Sequence, residues 1–253
     1  MMLAKDLVLE DVVKIDVQKD ILDALFTMFT AHQYILPVFS ESKFVGILGM
    51  SHYARVLQDL QRKPESIHIS EIMDSKITSV SPTADVKQVM DKLCERGVYG
   101  IPVTSGHDFL GIIRRQDLLK NFLHLIKGRF KVMDVMSYHI TTSSIHDPIE
   151  SVVKKAVVGG ARRIVILNYD KVEGIITFKD LVNILLAEKV DLSQMSVKDI
   201  LTPNQLTISK LDDAKKAGDM MLEWDVGGVP VVDKTLEGIV RDKDLIQRIR
   251  LLL

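Results

Sequence analysis

The sequence predicts an α/β (α+β) fold. It consists of four β-α-β-β-α repeats arranged as two pseudo-symmetric tandem pairs. Three observations carry this reading. A glycine followed by two branched aliphatics recurs with one period, an acidic-aliphatic phrase recurs with nearly the same period, and helix-period and hairpin-period stretches alternate between them.

The glycine phrases are Phe44-Val45-Gly46-Ile47-Leu48, Leu110-Gly111-Ile112-Ile113, Glu173-Gly174-Ile175-Ile176 and Glu237-Gly238-Ile239-Val240, and their glycines step by 65, 63 and 64 residues. Upstream, Asp6-Leu7-Val8, Glu71-Ile72-Met73, Asp134-Val135-Met136 and Asp199-Ile200-Leu201 step by 65, 63 and 65. Two independent anchors on one period of about 64 residues identify an internal repeat.

Each repeat then reads in the same order. After the opening comes a stretch with apolar residues three and four apart, the mark of one buried helix face. These are Ile21, Leu22, Leu25, Phe26 and Phe29, then Val86, Val89, Met90 and Leu93, then Ile149, Val152, Val153, Ala156 and Val157, then Ala214, Ala217, Met221 and Leu222. A short β-rich run follows, with Pro37, Pro102 and Pro230 ahead of the glycine in three copies and Val165 in the third. A polar turn such as Ser40 to Lys43 or Thr104 to Asp108 leads into the glycine strand, which is a hairpin signal. A second apolar helix closes the unit, as in Leu118, Leu119, Phe122, Leu123 and Ile126, or Leu245, Ile246 and Ile249.

One such unit has too small a core to cover its own sheet and helices, so pairing is expected. The division falls into residues 1–127, with repeats at about 1–62 and 66–127, and residues 128–253, with repeats at about 128–190 and 193–253. The joint at Lys127-Gly128-Arg129 is short and not of low complexity, which does not imply a flexible linker.

Composition narrows the function. The formal net charge is −1 over 253 residues, so no global positive field exists to hold nucleic acid or an anionic membrane, and any anion site must be local. The single Cys94 excludes an internal disulfide and a multi-cysteine zinc site, and reads as a small buried hydrophobe. No leader-like or membrane-spanning run is read, and a cytoplasmic location is expected. Seven histidines are scattered, with His139 and His146 flanking a polar stretch, and they read as surface or capping groups rather than metal ligands. Without a nucleophile motif, a phosphate-cradling loop or a His-x-x-x-His pair, no catalytic constellation is found, and the chain is expected not to be an enzyme. Trp224 is expected in core or dimer-interface packing.

The order of opening phrase, helix, Pro-Val strand, Gly-aliphatic strand and Thr-x-x-Asp before a helix resembles the CBS domain, named after cystathionine beta-synthase. Its fullest copy here is Gly174-Ile175-Ile176-Thr177-Phe178-Lys179-Asp180-Leu181, and the resemblance covers essentially the whole chain as four copies. It implies two Bateman modules, each a pair of copies joined through their sheets, with clefts for adenosine-containing ligands. It further implies that the motif Asp holds ribose hydroxyls and that basic residues before the Pro-Val strand meet phosphate. Physical chemistry supplies reasons for these roles: a carboxylate accepts two hydrogen bonds from a diol, and arginine offers a fixed fork to phosphate.

The four copies differ at those positions. Three and six residues after the glycine stand Gly49 and His52, Arg114 and Asp117, Thr177 and Asp180, and Arg241 and Asp244. The third copy also has Arg162-Arg163 before its strand, where the others have Tyr34-Ile35, Tyr99-Gly100 and Gly227-Gly228. The expected site therefore has Thr177 and Asp180 at the ribose, Arg162 and Arg163 at phosphate, and Ile140, Thr141 and Thr142 near the base, with part of the fourth copy closing the cleft. Arg114, Asp117, Arg241 and Asp244 are secondary candidates. Taken alone, Thr177-x-x-Asp180 is equally a helix cap, and Arg162-Arg163 a solvated strand edge.

The expected function is a sensor or regulatory protein that binds AMP, ADP or ATP ahead of an S-adenosylmethionine-type ligand or NAD, with no obligatory cofactor and no metal. A homodimer and an effector protein of unknown identity are the expected partners. Two alternatives are a nucleic-acid-binding regulator, using Arg114-Arg115, Arg129 to Lys131 and Arg162-Arg163 as a basic stripe, and a structural adaptor whose ligand sites have decayed.

Overall fold

All four glycine phrases lie on the second strand of an antiparallel hairpin, and each hairpin carries an irregularity near the same place. The computed structural model describes residues 2–53, 56, 66–76, 78–95, 98–158, 160–185, 195–202 and 206–253, and they gather into two units, 1–117 and 118–253.

In the first unit, β1 (Ile15–Asp16) precedes α1 (Ile21–Thr30) and the hairpin of β2 (Ile35–Ser40) and β3 (Lys43–Gly49). It continues with α2 (Ile69–Ile72), α3 (Val86–Cys94), the hairpin of β4 (Gly100–Ser105) and β5 (Asp108–Arg114), and the start of α4 (Arg115–Phe122). The second unit runs from β6 (Thr142–Ser144) through α5 (Ile149–Val157), β7 (Arg163–Asn168), β8 (Lys171–Thr177) and α6 (Phe178–Leu185). It ends with α7 (Val197–Ile200), α8 (Ala214–Glu223), β9 (Gly228–Val232), β10 (Leu236–Arg241) and α9 (Asp242–Arg250). β1 and β6 add in parallel to β2 and β7, and single parallel bridges, Val80 to Val103 and Ile208 to Val231, take that place beside β4 and β9.

The acidic-aliphatic openings are not strands but single helical turns, at Ala4–Asp6, α2, Val132–Asp134 and α7. Each docks on the other segment of its own unit. Ala4 N donates to Ala84 O at 2.9 Å and Ile69 N to Lys19 O at 3.1 Å, while Val132 N donates to Asp212 O at 2.9 Å and Val197 N to Asp147 O at 2.9 Å. This exchange explains the motif glycine. A side chain at Gly111, whose φ is +154°, would stand 2.1 Å from the Leu9 carbonyl oxygen, and one at Gly46 would stand 2.8 Å from that of Asp74. The glycine is required by backbone passing over backbone.

The long helices begin on carboxylate caps. Asp20 Oδ1 accepts from Leu22 N and Asp23 N at 2.9 and 2.8 Å, Asp85 from Lys87 N at 2.7 Å, and Asp213 from Lys215 N at 2.8 Å. In the third segment Pro148 occupies the cap. Asp147, one residue earlier, instead gathers Ser143 Oγ at 2.5 Å, Ser144 N at 3.0 Å and Lys155 Nζ at 3.4 Å.

The buried stripes follow the sequence reading on α3, where Val86, Val89, Met90 and Leu93 are buried. On α1 the stripe is Ile21, Ala24, Leu25 and Met28, and Phe26, expected inside, is 70% exposed because it lies about 100° around the helix from Leu25. Trp224 is 56% exposed and so is not a core residue. Tyr53 is fully buried and donates to the Ile21 carbonyl at 2.7 Å; burial, and then the charge of Asp20, raise its pKa above the ordinary phenol range.

Candidate functional site

Sheet register collects the expected site residues at one end of the third segment. β8 ends with Thr177 opposite Arg163 at the start of β7, and β6 starts with Thr142 opposite Val165. Ile140 and Thr141 therefore enter the sheet beside the same end, where the Thr141 carbonyl accepts from Val165 N at 2.9 Å. The Arg162 carbonyl accepts from Phe178 N at 3.0 Å, which ties the start of α6 to the strand entry. Ile140, Thr141, Thr142, Arg162, Thr177 and Asp180 are all partly exposed there.

The Thr-x-x-Asp motif forms a local cap. Asp180 Oδ2 accepts from Thr177 N at 2.8 Å and Thr177 Oγ1 at 2.6 Å, and Thr177 Oγ1 receives Asp180 N at 3.4 Å. The residue six after the glycine does this in every segment. Asp117 receives Arg114 N at 2.8 Å, Asp244 receives Arg241 N at 3.0 Å, and His52 Nδ1 receives Gly49 N at 3.0 Å. The capping role is thus common to all four, and it does not by itself mark a ligand site.

The remaining acceptor capacity distinguishes the segments. Arg114 closes on both oxygens of Asp117 at 3.0 Å each, and Arg241 on both oxygens of Asp244 at 2.8 and 2.9 Å. Among the described residues Asp180 Oδ1 accepts no hydrogen bond, because threonine in place of arginine reaches only Oδ2. The secondary candidates Arg114, Asp117, Arg241 and Asp244 are thus tied up as two bidentate pairs, while Asp180 keeps one oxygen for a donor from outside.

Arg163 does not simply project toward an anion. Its stem lies across the start of β9: a Cβ on Gly228 would meet Arg163 Cδ at 3.2 Å, and one on Gly227 would meet Nη2 at 1.8 Å. Nη2 stands 3.7 Å from Asp242 Oδ2, with the two side chains 18% and 10% exposed. Asp242 is held in turn, its N–H donating to the Gly227 carbonyl at 3.0 Å and its Oδ1 accepting from Lys243 N at 2.7 Å. Sequence reading missed Asp242. The Gly227-Gly228 pair was visible as the place where the fourth copy lacks a basic pair, and the structure gives it a further meaning as the surface over which Arg163 lies.

Two arginines of the suggested basic stripe are also engaged, while Arg129 is exposed. Arg114 is paired with Asp117, and Arg115 is 5% exposed, stacks on Tyr99 at 4.5 Å and donates to the Leu93 carbonyl at 2.7 Å. Elsewhere in the third segment a cleft of about 410 Å³ is lined by Thr142, Ser144, His146, Lys155, Asn168 and Tyr169 among others, at the far end of β6 from Arg163. Of the expected site residues it includes Thr142 alone. Among the described residues no group of three His, Cys, Asp or Glu side chains could hold a metal ion, and no helix is long and apolar enough to cross a membrane.

The chain is 22% identical over 252 residues to an uncharacterized protein of Methanocaldococcus jannaschii, MJ1225, covering 88% of this chain and 90% of that one. The crystal structure of that protein superposes with a TM-score of 0.89 at 20% identity, covering 98% of this chain and 99% of the other. An uncharacterized conserved protein from Pyrococcus horikoshii superposes with a TM-score of 0.70 at 15% identity, covering 98% of this chain and all of its own. The CBS-domain family model matches residues 69–124, 132–187 and 197–251, well over half of the sequence, and the chain belongs to the CBS-domain family.

Proposed function

We propose that the protein is a regulatory module rather than an enzyme, and that it binds an adenosine-containing ligand at the base of the third segment. The observation that carries the reading is the asymmetry of the motif carboxylates: Asp180 keeps an oxygen without a bond among the described residues, whereas Asp117 and Asp244 have both oxygens taken by their own arginines. A carboxylate oxygen beside a threonine hydroxyl at a helix start suits a ribose diol, and Arg162 and Arg163 at the same sheet end favour AMP, ADP or ATP over a sulfonium ligand such as S-adenosylmethionine. In this reading Ile140, Thr141 and Thr142 meet the base. The structural relative from M. jannaschii is described as a proposed archaeal homologue of AMPK gamma, in keeping with nucleotide sensing.

In this reading residues 2–53 are part of a fourth CBS domain, supported by the same order of opening turn, parallel strand, helix and irregular hairpin. The four domains work as two modules, 1–127 and 128–253. Occupancy shifts the relative setting of the third and fourth segments, which a partner chain reads, and the protein acts as a cytoplasmic homodimer. Exposed Phe26 and Trp224 supply apolar helix surface for such contacts.

Calorimetric titration with AMP, ADP, ATP, S-adenosylmethionine and NAD, repeated on Asp180→Ala, tests the site. One nucleotide is expected to bind, and the variant to lose about 1.5–3 kcal/mol, the value of a hydrogen bond to a charged group. Equal binding by the variant would move the site away from Asp180, and silence across the panel would favour the adaptor reading.

A further inference from the structure

Arg163 faces a fixed carboxylate of the neighbouring segment, and this bears on which ligands the cleft accepts. We propose that Asp242 is a specificity-determining residue, an internal counter-anion that competes with ligand phosphate for Arg163 and so holds the cleft's preference toward fewer phosphate charges. The proposal rests on the adenosine-ligand reading above and deepens it.

The two members of the pair differ in freedom. Asp242 opens α9, a helix of nine residues, with its Oδ1 receiving Lys243 N at 2.7 Å and its own N–H bound to the Gly227 carbonyl at 3.0 Å. A carboxylate at a helix start is also favoured by the helix dipole, so Asp242 is anchored. Arg163 is a long side chain lying over two glycines, and at 3.7 Å its ion pair is looser than a direct charge-assisted bond of about 2.8 Å. A phosphate arriving at the third segment therefore meets a guanidinium that can turn toward it and a carboxylate that cannot retreat.

The negative charge at this position is peculiar to the fourth segment. Four residues after the glycine the other segments have Met50, Arg115 and Phe178, so the third segment's cleft alone among these neighbours faces an acid at that position. With side chains 18% and 10% exposed, the pair is only weakly screened by salt. Each additional phosphate brings more negative charge toward Asp242, so the effect grows from nucleoside to monophosphate to diphosphate.

The test compares adenosine, AMP and ADP by calorimetric titration on the full chain and on Asp242→Asn, which keeps an acceptor for Lys243 N. Thermal unfolding verifies that the variant is folded, with Asp242→Ser as a second form of the same test. The AMP-to-adenosine affinity ratio is expected to rise roughly tenfold or more in Asp242→Asn, and the ADP-to-adenosine ratio further, the scale of losing one close charge interaction. Placing Asp242→Asn in an Arg163→Ala background should reduce that gain severalfold, because the contested guanidinium is gone. Unchanged ratios would overturn the proposal while adenosine binding itself keeps the parent reading. An equal rise for all three ligands would overturn it too, since shape and not charge would then be responsible. If neither adenosine nor its phosphates bind either chain, the parent reading fails with it.

Discussion

The two units place the same backbone arrangement under opposite chemistry. In the first, Ile35 at the start of β2 lies over Gly100 at the start of β4, where a Cβ would meet its Cδ1 at 2.6 Å. In the second, Arg163 at the start of β7 lies over Gly227 and Gly228 at the start of β9. Four residues past the motif glycine the partner segment contributes buried Arg115 in the first unit and buried Asp242 in the second. The first unit closes its seam with an aliphatic and turns its arginine onto its own segment, to Tyr99 and the Leu93 carbonyl. The second carries a cation across the seam to an acid. A small side-chain change on one scaffold thus separates a seam suited to holding segments together from one whose charges a ligand can contest.

The largest effect expected in the first unit is at Arg115. Its guanidinium satisfies the Leu93 carbonyl, one of the last four of α3 and so without a helical partner, and its stem fills space beside Tyr99. Arg115→Ala should lower stability by about 2–4 kcal/mol, combining a lost charge-assisted bond with a partly filled cavity. Urea unfolding measures it. A cost below about 0.5 kcal/mol, the level of a surface substitution, would mean that the packing of the second segment does not depend on this residue.

A smaller effect contrasts the two glycine surfaces directly. A Cβ on Gly100 would meet Ile35 Cδ1 at 2.6 Å and Ile112 Cγ2 at 3.1 Å. A Cβ on Gly228 would meet the Val240 carbonyl oxygen at 3.1 Å and the Arg163 stem at 3.2 Å. Gly100→Ala overpacks an apolar seam and should cost about 1–3 kcal/mol, whereas at Gly228→Ala the long arginine stem can shift and the cost should stay below about 1 kcal/mol. Equal losses in thermal unfolding would show that the Val240 carbonyl and the arginine stem together yield no more than the isoleucine does.

Much of this was legible in the sequence, and the rest failed for identifiable reasons. Period and order revealed the hairpins, because Gly46, Gly111, Gly174 and Gly238 recur with their aliphatic neighbours. Why those residues are glycine was not legible, since Leu9 and Asp74, whose carbonyls pass over Gly111 and Gly46, lie 102 and 28 residues away from them in the chain. Helix periodicity gave the α3 face but placed Phe26 of α1 inside, because five apolar residues in about two and a half turns leave two stripes to choose from. At the site, Thr177 and Asp180 are adjacent on one turn and were found together. Asp242 was not, because it belongs to the fourth segment and meets Arg163 only through the pairing of segments.

The third segment also departs from its neighbours at the start of its helix, and the smallest prediction concerns that departure. Where Asp20, Asp85 and Asp213 cap with one or two backbone bonds, Pro148 displaces the acid to Asp147, whose carboxylate is held chiefly by the Ser143 hydroxyl and then by Ser144 N–H and Lys155. These donors lower its pKa from the ordinary 3.8. The native state therefore binds fewer protons here than the unfolded chain does near pH 4, and the contribution to stability is present at neutral pH and lost as acid titrates the folded carboxyl. With about a third of both side chains in solvent, 36% for Lys155 and 33% for Asp147, that contribution should be below about 1 kcal/mol. Asp147→Asn should accordingly be slightly less stable than the parent at pH 7, and the gap should close as the pH falls toward 3. A gap that persists undiminished in acid would mean that the serine and lysine here recognise the shape of the side chain and not its charge, and the third segment's helix start would then be an ordinary cap moved by one residue.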